Sequence, residues 1–315
     1  RPVLRRPAAA PLLLLIALAL VGEDLLVWNV FLKNPEASPK GTGGLSAPPQ
    51  KVRRRPAARG RPAMSSGGDE AEPDFASIED LWKSKVSDDT GRQDWYAKAE
   101  NHWDNQEPNI NGVLGGYPET NAPDLRESRR FLELIRKSPS PPGFGSVLDC
   151  GAGIGRVTEG LLLHVFEQVD LVEPCERLLK TARREIKDAR VGQFTQSTLQ
   201  DFKPDAGRYD VIWAQWVLLY LPDDDLVKFL QRCKKGLRRN GMICVKENVV
   251  LDGKFVVDWE DNSIARTHSQ YKAIFELAGF TVVHEMKQAC WPQDLIPVMM
   301  YAMRPTSWKS LSAKG

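Results

Sequence analysis

The sequence predicts an α/β protein: a doubly wound, mostly parallel sheet with an N-terminal helical cap. Three observations carry this. The stretch VLDCGAGIGR, Val147 to Arg156, reads as strand, glycine turn and helix. Its apolar run ends at Asp149, glycines stand at 151, 153 and 155, and a helical pattern begins at Arg156. Apolar runs and amphipathic stretches then alternate through the rest of the chain. The clearest run is YDVIWAQWVLLYL, Tyr209 to Leu221, followed by a helix that sets Leu226, Phe229, Leu230, Cys233 and Leu237 on one stripe.

A chain of 315 residues, 42% hydrophobic and 27% charged, is globular in the main and long enough for one large domain or two small ones. The net charge of +2 excludes a strongly electrostatic partner for the whole chain, so nucleic acid is not expected as substrate. The five cysteines (Cys150, Cys175, Cys233, Cys244, Cys290) form no C-x-x-C pair. That pattern favours a reducing compartment and argues against a structural zinc.

In chain order, residues 1–76 read as an extension. Arg1, Arg5 and Arg6 precede an apolar block, Ala8 to Gly22, and a second apolar stretch runs from Leu25 to Leu32. Three readings stay open: a signal or membrane anchor within 8–32, an organellar transit segment, or upstream sequence before a start at Met64. From Asn34 to Ala63, Pro, Gly, Ser and Arg dominate, the composition of a disordered basic linker. The folded domain is expected over 77–306, with a helical cap at 77–138 and a tail at 307–315. Ser77 and Asp80 resemble a capping box before Ile78, Leu81, Trp82 and Val86. A second helix aligns Trp95, Tyr96, Ala99 and Trp103. NGVLGGY, Asn111 to Tyr117, reads as a flexible apolar loop, and a helix from about Asp124 to Lys137 faces Leu125, Phe131, Leu132 and Ile135 inward.

The alternating part starts with strand Ser146–Cys150 and a helix from Arg156 to about Phe166. Strand Val169–Val172, helix Glu176–Lys187 and a weaker strand near Gln193–Ser197 follow. After the long run at 209–221 come a helix at Asp225–Leu237, a turn at Arg239-Asn240-Gly241 and a strand at Met242–Lys246. A helix at Ser269–Ala278 stops at Gly279, and the runs Phe280–Val283 and Val298–Met303 pair as the last strands. Asp149, Glu173, Gln215 and Asn248 fall at strand ends, where such sheets bind ligands.

The glycine spacing narrows the ligand. A dinucleotide fingerprint reads G-x-G-x-x-G; here the third glycine comes one residue early and Arg156 takes its place. Glu173, ending the run VDLVEP, suits the hydroxyls of a ribose. This G-x-G-x-G variant resembles class I S-adenosyl-L-methionine (AdoMet) methyltransferases, a Rossmann-like fold, more than NAD enzymes.

From about Trp95 to Arg304 the resemblance sharpens. NGVLGGY (111–117), LDCGAGIGR (148–156), VDLVEP (169–174), LQDF (199–202), YDVIWAQW (209–216) and VKEN (245–248) are similar to the protein α-N-terminal methyltransferases, which methylate the N-terminal amine of Xaa-Pro-Lys proteins. Residues 78–86 look like the leading segment of the plant members. The resemblance implies that Gly151 and Arg156 hold the methionine end of AdoMet, Glu173 the ribose, and Leu199 and Gln200 the adenine, with Gln215 beside the reacting amine. It implies a substrate channel of Trp103, Leu114, Gly115, Trp216, Asp258 and Ser263, with Asn248, Asp261 and Tyr220 at the amine. It also implies a monomer acting on proteins with an exposed N-terminus, in the cytoplasm or nucleus unless the extension directs it to an organelle or membrane.

The chemistry agrees. An α-amine has a pKa of about 7.7–8.0 and must lose a proton before attacking a methyl carbon. A modest base and good positioning suffice, and Asp261 is the candidate base. Taken alone, DWEDNS (258–263) reads as a solvated loop with a helix cap. Three positions depart from the family: Tyr220 stands where a histidine is usual, Ile296 where an aromatic covers the substrate, and Trp259 in place of an acid beside Asp258. They leave open a different amine substrate or a weakly catalytic AdoMet-binding partner protein.

Overall fold

The structure, a computed structural model, describes residues 73–308. The extension before residue 73, with its apolar segment at 8–32, and the tail from 309 lie outside the described residues. The cap comprises α1 (Ile78–Lys85), α2 (Asp89–Asn105), the single turn α3 (Ile110–Val113) and α4 (Asn121–Arg136). Then come β1 (Ser146–Cys150), α5 (Arg156–Gly160), β2 (Gln168–Glu173), α6 (Glu176–Glu185), β3 (Val191–Gln196) and β4 (Tyr209–Gln215). The chain continues with α7 (Asp223–Gly236), β5 (Leu237–Val250), β6 (Val256–Asp258), β7 (Ser263–Thr267), α8 (His268–Leu277), β8 (Phe280–Lys287) and β9 (Val298–Pro305).

The strand order β3-β2-β1-β4-β5 is parallel throughout. β9 adds antiparallel to β5, and β8 antiparallel to β9, as the two late apolar runs predict. One face packs Phe229, Leu230, Tyr271 and Phe275 from α7 and α8; the other packs Phe131, Ile135, Val157 and Ala182 from α4, α5 and α6. Covering both faces of a parallel sheet makes its central strands apolar on both sides; β1 and β4 are buried at every position. A third, smaller core joins Ile78, Leu81 and Trp95 of the cap to Phe255 and Ile264 of the β6–β7 hairpin.

Local signals explain several ends. The Ser77 hydroxyl accepts from the Asp80 N–H at 3.1 Å, and Thr267 and Gln270 form a reciprocal capping box that starts α8. Gly279, with φ of 82°, ends that helix.

The structure corrects five elements. The helix expected from Arg156 to about Phe166 ends at Gly160, where a Cβ would stand 2.6 Å from Leu125; a 3-10 turn, Leu162–His164, carries the apolar residues inward instead. The strand expected to reach Leu221 stops at Gln215. Trp216 adopts φ of 53°, and the N–H groups of Val217 and Leu218 go to the Glu247 carboxylate rather than to a neighbouring strand. The turn expected at 239–241 lies inside β5, where Asn240 (φ 67°) shifts the register against β4. The loop expected at NGVLGGY begins as α3, capped by Asn109 at 3.0 Å from the Gly112 N–H. Gly112 is packed so tightly on Glu107 that a Cβ would sit 2.0 Å from its carbonyl oxygen. Lastly, DWEDNS is neither solvated loop nor helix cap but the turn of the β6–β7 hairpin, with Asp258 opposite Ser263.

Candidate active site

The glycine turn is built by steric exclusion. Gly151, Gly153 and Gly155 all have positive φ, a region other residues reach only with strain. A Cβ on Gly151 would stand 2.6 Å from Val217, and one on Gly155 would stand 2.3 Å from Ile186. Gly153 differs: the nearest atom to its Cβ would be 3.9 Å away on Val113, so this backbone edge is open. Glu173 lies beside it at the end of β2. Its Oε2 accepts from the Gly153 N–H and its Oε1 from the Cys175 N–H, both at 2.9 Å. Burial pushes this carboxyl up to about 7. Leu199 is buried in the turn after β3, its carbonyl held at 2.6 Å by Arg232 of α7, with Gln200 half-buried next to it.

Beneath the loop lies a buried charge network that sequence reasoning missed. Asp124 of α4 is fully buried and takes Arg156 Nη1 at 2.7 Å, Gln215 Nε2 at 2.9 Å, and the ammonium of Lys246, which is also fully buried. Burial alone would raise Asp124; the charges of Lys246 and Arg156 outweigh it and hold this carboxyl below the usual range. Lys246 also donates to the Ser128 hydroxyl at 2.9 Å, and Arg156 to Asn121 at 3.1 Å. Arg156 and Gln215, both expected at the cofactor, are therefore held in place by α4. The signal was available: Asp124 and Ser128 continue the stripe of Phe131 and Ile135 at helical spacing, and Lys246 interrupts an apolar strand.

Across the sheet ends, the Tyr220 hydroxyl donates to Asp261 Oδ2 at 3.1 Å, and Asp261 Oδ1 accepts from the Ser263 N–H at 3.0 Å. The turn bearing Tyr220 is fixed by three side chains from distant elements. Glu247 accepts from the N–H groups of Val217 and Leu218; Arg266 of β7 donates to the carbonyls of Leu218 and Leu221; the Trp95 indole donates to the Tyr220 carbonyl at 2.9 Å. The carbonyl of Trp95 accepts from Asn262 in the hairpin turn at 3.2 Å. Burial pushes Glu247 up to about 8 and Asp261 above its ordinary value.

Of the expected channel residues, Trp103 and Ser263 meet this pair directly. Trp103 meets the Tyr220 ring edge-on at 6.3 Å. Leu114 is buried, Gly115 is exposed with φ of 59°, and Asn248 is half-buried near the end of β5. Asp258 accepts from the Glu260 N–H at 3.0 Å across the hairpin turn. Trp216 faces the Arg156 guanidinium at 5.6 Å, and its buried indole N–H has no partner. Trp291 stands 5.8 Å from the Trp216 ring and donates to the Ile296 carbonyl at 3.0 Å, so an aromatic reaches this wall although position 296 is aliphatic. Trp259 packs edge-on against Trp95 at 6.3 Å, which gives this departure a place in the cap core.

The residues fit AdoMet. The open edge at Gly153, the buried carboxylate beside it and the cationic Arg156 match a ribose hydroxyl pair and a carboxylate in the chemistry they offer. Residues 91–304 match the family model of AdoMet-dependent proline di-methyltransferases. The N-terminal Xaa-Pro-Lys N-methyltransferase 1-B of Xenopus laevis is 41% identical over 222 residues, 70% of this chain and 98% of the relative. The α-N-terminal protein methyltransferase 1 of Arabidopsis thaliana is 37% identical over 249 residues, 75% of this chain and 90% of the relative. A solved SAM-dependent methyltransferase of Leishmania major superposes with a TM-score of 0.68 at 38% identity, covering 73% of this chain and 92% of that one. The chain therefore belongs to the AdoMet-dependent proline di-methyltransferase family, class I methyltransferases with a Rossmann-like sheet, and AdoMet is its cofactor.

Proposed function

We propose that the protein transfers methyl groups from AdoMet to the free α-amine of proteins beginning Xaa-Pro-Lys. The observation that carries this reading is the Tyr220–Asp261 pair, with Trp103 edge-on against the Tyr220 ring. A buried carboxylate next to aromatic walls attracts a small ammonium and can take its proton. Bound AdoMet supplies an electrophilic methyl group. Asp261 accepts the proton of the ammonium, which leaves the neutral amine as the nucleophile that the AdoMet methyl group would require. Tyr220 holds Asp261 in line, and Asn248 orients the amine. Trp216 packs on the proline ring, Leu114 and Gly115 follow the peptide backbone, and Asp258 and Ser263 receive the lysine. At the other end Glu173 takes the ribose, Leu199 and Gln200 the adenine, and Gly151 and Arg156 the methionine carboxylate, with Gln215 held by Asp124 beside the reacting centre.

In this reading residues 77–306 form the catalytic domain, active as a monomer. The free cysteines suit the cytoplasm or nucleus, and among the described residues no helix is long and apolar enough to cross a membrane. The test is mass spectrometry of a Ser-Pro-Lys-Arg peptide incubated with the protein and AdoMet, beside the same peptide acetylated at its N-terminus. Methyl gain on the free peptide alone is the expected result. Gain on both peptides, or on neither while AdoMet still binds, would overturn the assignment.

A further inference from the structure

Helix α2 touches both ends of the site. Its first half is tied to the amine end: the Trp95 indole donates to the Tyr220 carbonyl, and the Tyr96 hydroxyl donates to Asp225 of α7 at 2.8 Å. Its last turn bears Trp103 and faces two ways. On one side His102 Nδ1 lies 3.8 Å from Oε1 of Glu260 in the hairpin turn. On the other side the turn meets the start of α6, directly after Glu173. There the Cys175 thiol donates to Asp104 Oδ1 at 3.0 Å and stands 4.0 Å from the Trp103 carbonyl. Two residues on, Arg177 donates to the carbonyl of Gln106, the residue that caps α2.

Cys175 therefore holds two groups at once. Its backbone N–H donates to Glu173 Oε1 at 2.9 Å, while its side chain holds Asp104. Burial, with the Asp104 carboxylate beside it, pushes this thiol up to about 11, so it stays a protonated donor rather than a reactive thiolate. A carboxylate in the last turn of a helix opposes that helix's dipole. Asp104 is compensated because it meets Cys175 at the opening, positive end of α6. A terminal helical turn frays unless other elements hold it, and here the hold comes from beside the cofactor acid.

We propose that Cys175 and Arg177 are positioning residues that couple the cofactor end to the substrate wall. AdoMet on Glu173 steadies the turn into α6; Cys175 and Arg177 pass this to the last turn of α2, which sets Trp103 for the peptide. The proposal rests on the reading above that gives Glu173 the ribose and Trp103 the channel. The coupling runs in both directions, so bound peptide also tightens the cofactor.

The test measures binding of the Ser-Pro-Lys-Arg peptide by calorimetry, with and without saturating S-adenosylhomocysteine, the cofactor lacking its transferable methyl group. In wild type the cofactor tightens peptide binding by about fivefold or more. In Cys175→Ala combined with Arg177→Ala that ratio falls to within about twofold of unity, and Cys175→Ala alone shows a smaller fall. Affinity for S-adenosylhomocysteine without peptide stays within about threefold, because alanine at 175 keeps the N–H that serves Glu173. Cys175→Ser retains a donor to Asp104 and keeps most of the wild-type ratio. A wild-type ratio near one overturns the proposal. So does a ratio that survives in the double variant while both affinities drop together, the mark of a merely structural role. Hydrogen exchange decides without any peptide: S-adenosylhomocysteine slows exchange at 102–106 in wild type and not in the double variant. No slowing in wild type, or equal slowing in both, overturns the coupling even where this peptide proves not to be a ligand.

Discussion

The cofactor end and the amine end of this site are held by different kinds of contact. At the cofactor end the glycine loop, Glu173 and Gln215 sit on β1, β2 and β4, neighbouring strands locked by backbone ladders. A fully buried ionic cluster on Asp124 lies underneath. At the amine end Tyr220 and Asp261 come from a 3-10 turn and a three-residue strand's hairpin, joined to the sheet by side chains and covered by a small aromatic core. The first end has deep packing on both sides. The second depends on Trp95, which bonds to Tyr220 through its indole and to Asn262 through its carbonyl. A rigid cofactor cradle and a separately assembled substrate wall mean that the two ends can be damaged one at a time.

The sharpest break is Asp124→Leu. It strands Lys246 and Arg156 as buried charges, and losing one partner of such a cluster costs about 3–5 kcal/mol. Urea unfolding should show a loss of that size with AdoMet binding abolished; a loss under about 1 kcal/mol would mean that the cluster relaxes without Asp124. Next is Trp95→Ala. Truncating a buried tryptophan costs about 3–5 kcal/mol when the whole core must respond, but here the loss should stay within the cap and hairpin. Hydrogen exchange should rise over 78–105 and 256–267 while β1 to β4 stay protected, and turnover should vanish with AdoMet still bound. Exchange that rises equally in β1 and β4 would erase the distinction between the two ends.

A reciprocal pair sharpens it further. Glu173→Ala should weaken AdoMet binding by about 10- to 100-fold, the value of hydrogen bonds to a charged group. Asp261→Asn should leave that affinity within about twofold and lower turnover by about 100-fold. Calorimetry and initial rates on both variants give the comparison, and equal AdoMet affinity in wild type and Glu173→Ala would contradict the ribose assignment. The smallest effect is pH dependence. Glu173, raised by burial to about 7, holds more protons folded than unfolded between its ordinary value and 7. Its contribution to stability therefore falls as pH rises through that window. The ionised form is the better acceptor for ribose hydroxyls, so AdoMet affinity should rise about tenfold from pH 6 to pH 8. Glu173→Gln should flatten that rise.

The same division runs through what could be read before the fold was known. The cofactor end is legible because its parts are local: a strand, three glycines and a helix within ten residues, then an acid at the end of the next apolar run. The amine end was named through the family resemblance and not through any pattern in DWEDNS, whose composition suits a solvated loop. Trp95 was read only as part of an apolar helix face, because periodicity cannot show what a side chain meets more than a hundred residues away. The helix after Arg156 was read too long for a related reason: it ends at Gly160, where Leu125 of another element leaves no room for a side chain.

By itself the sequence determined the alternation of strands and helices, the glycine turn and the acid beside it. Those follow from backbone geometry and from burial periodicity along a single segment. Only the tertiary structure decided that Asp124 neutralises Lys246 and Arg156, that Trp95 holds Tyr220 and Asn262 together, and that His102 stands beside the acidic hairpin. Such pairings depend on which surfaces exclude water when distant elements pack, and charges and indoles acquire their partners only then.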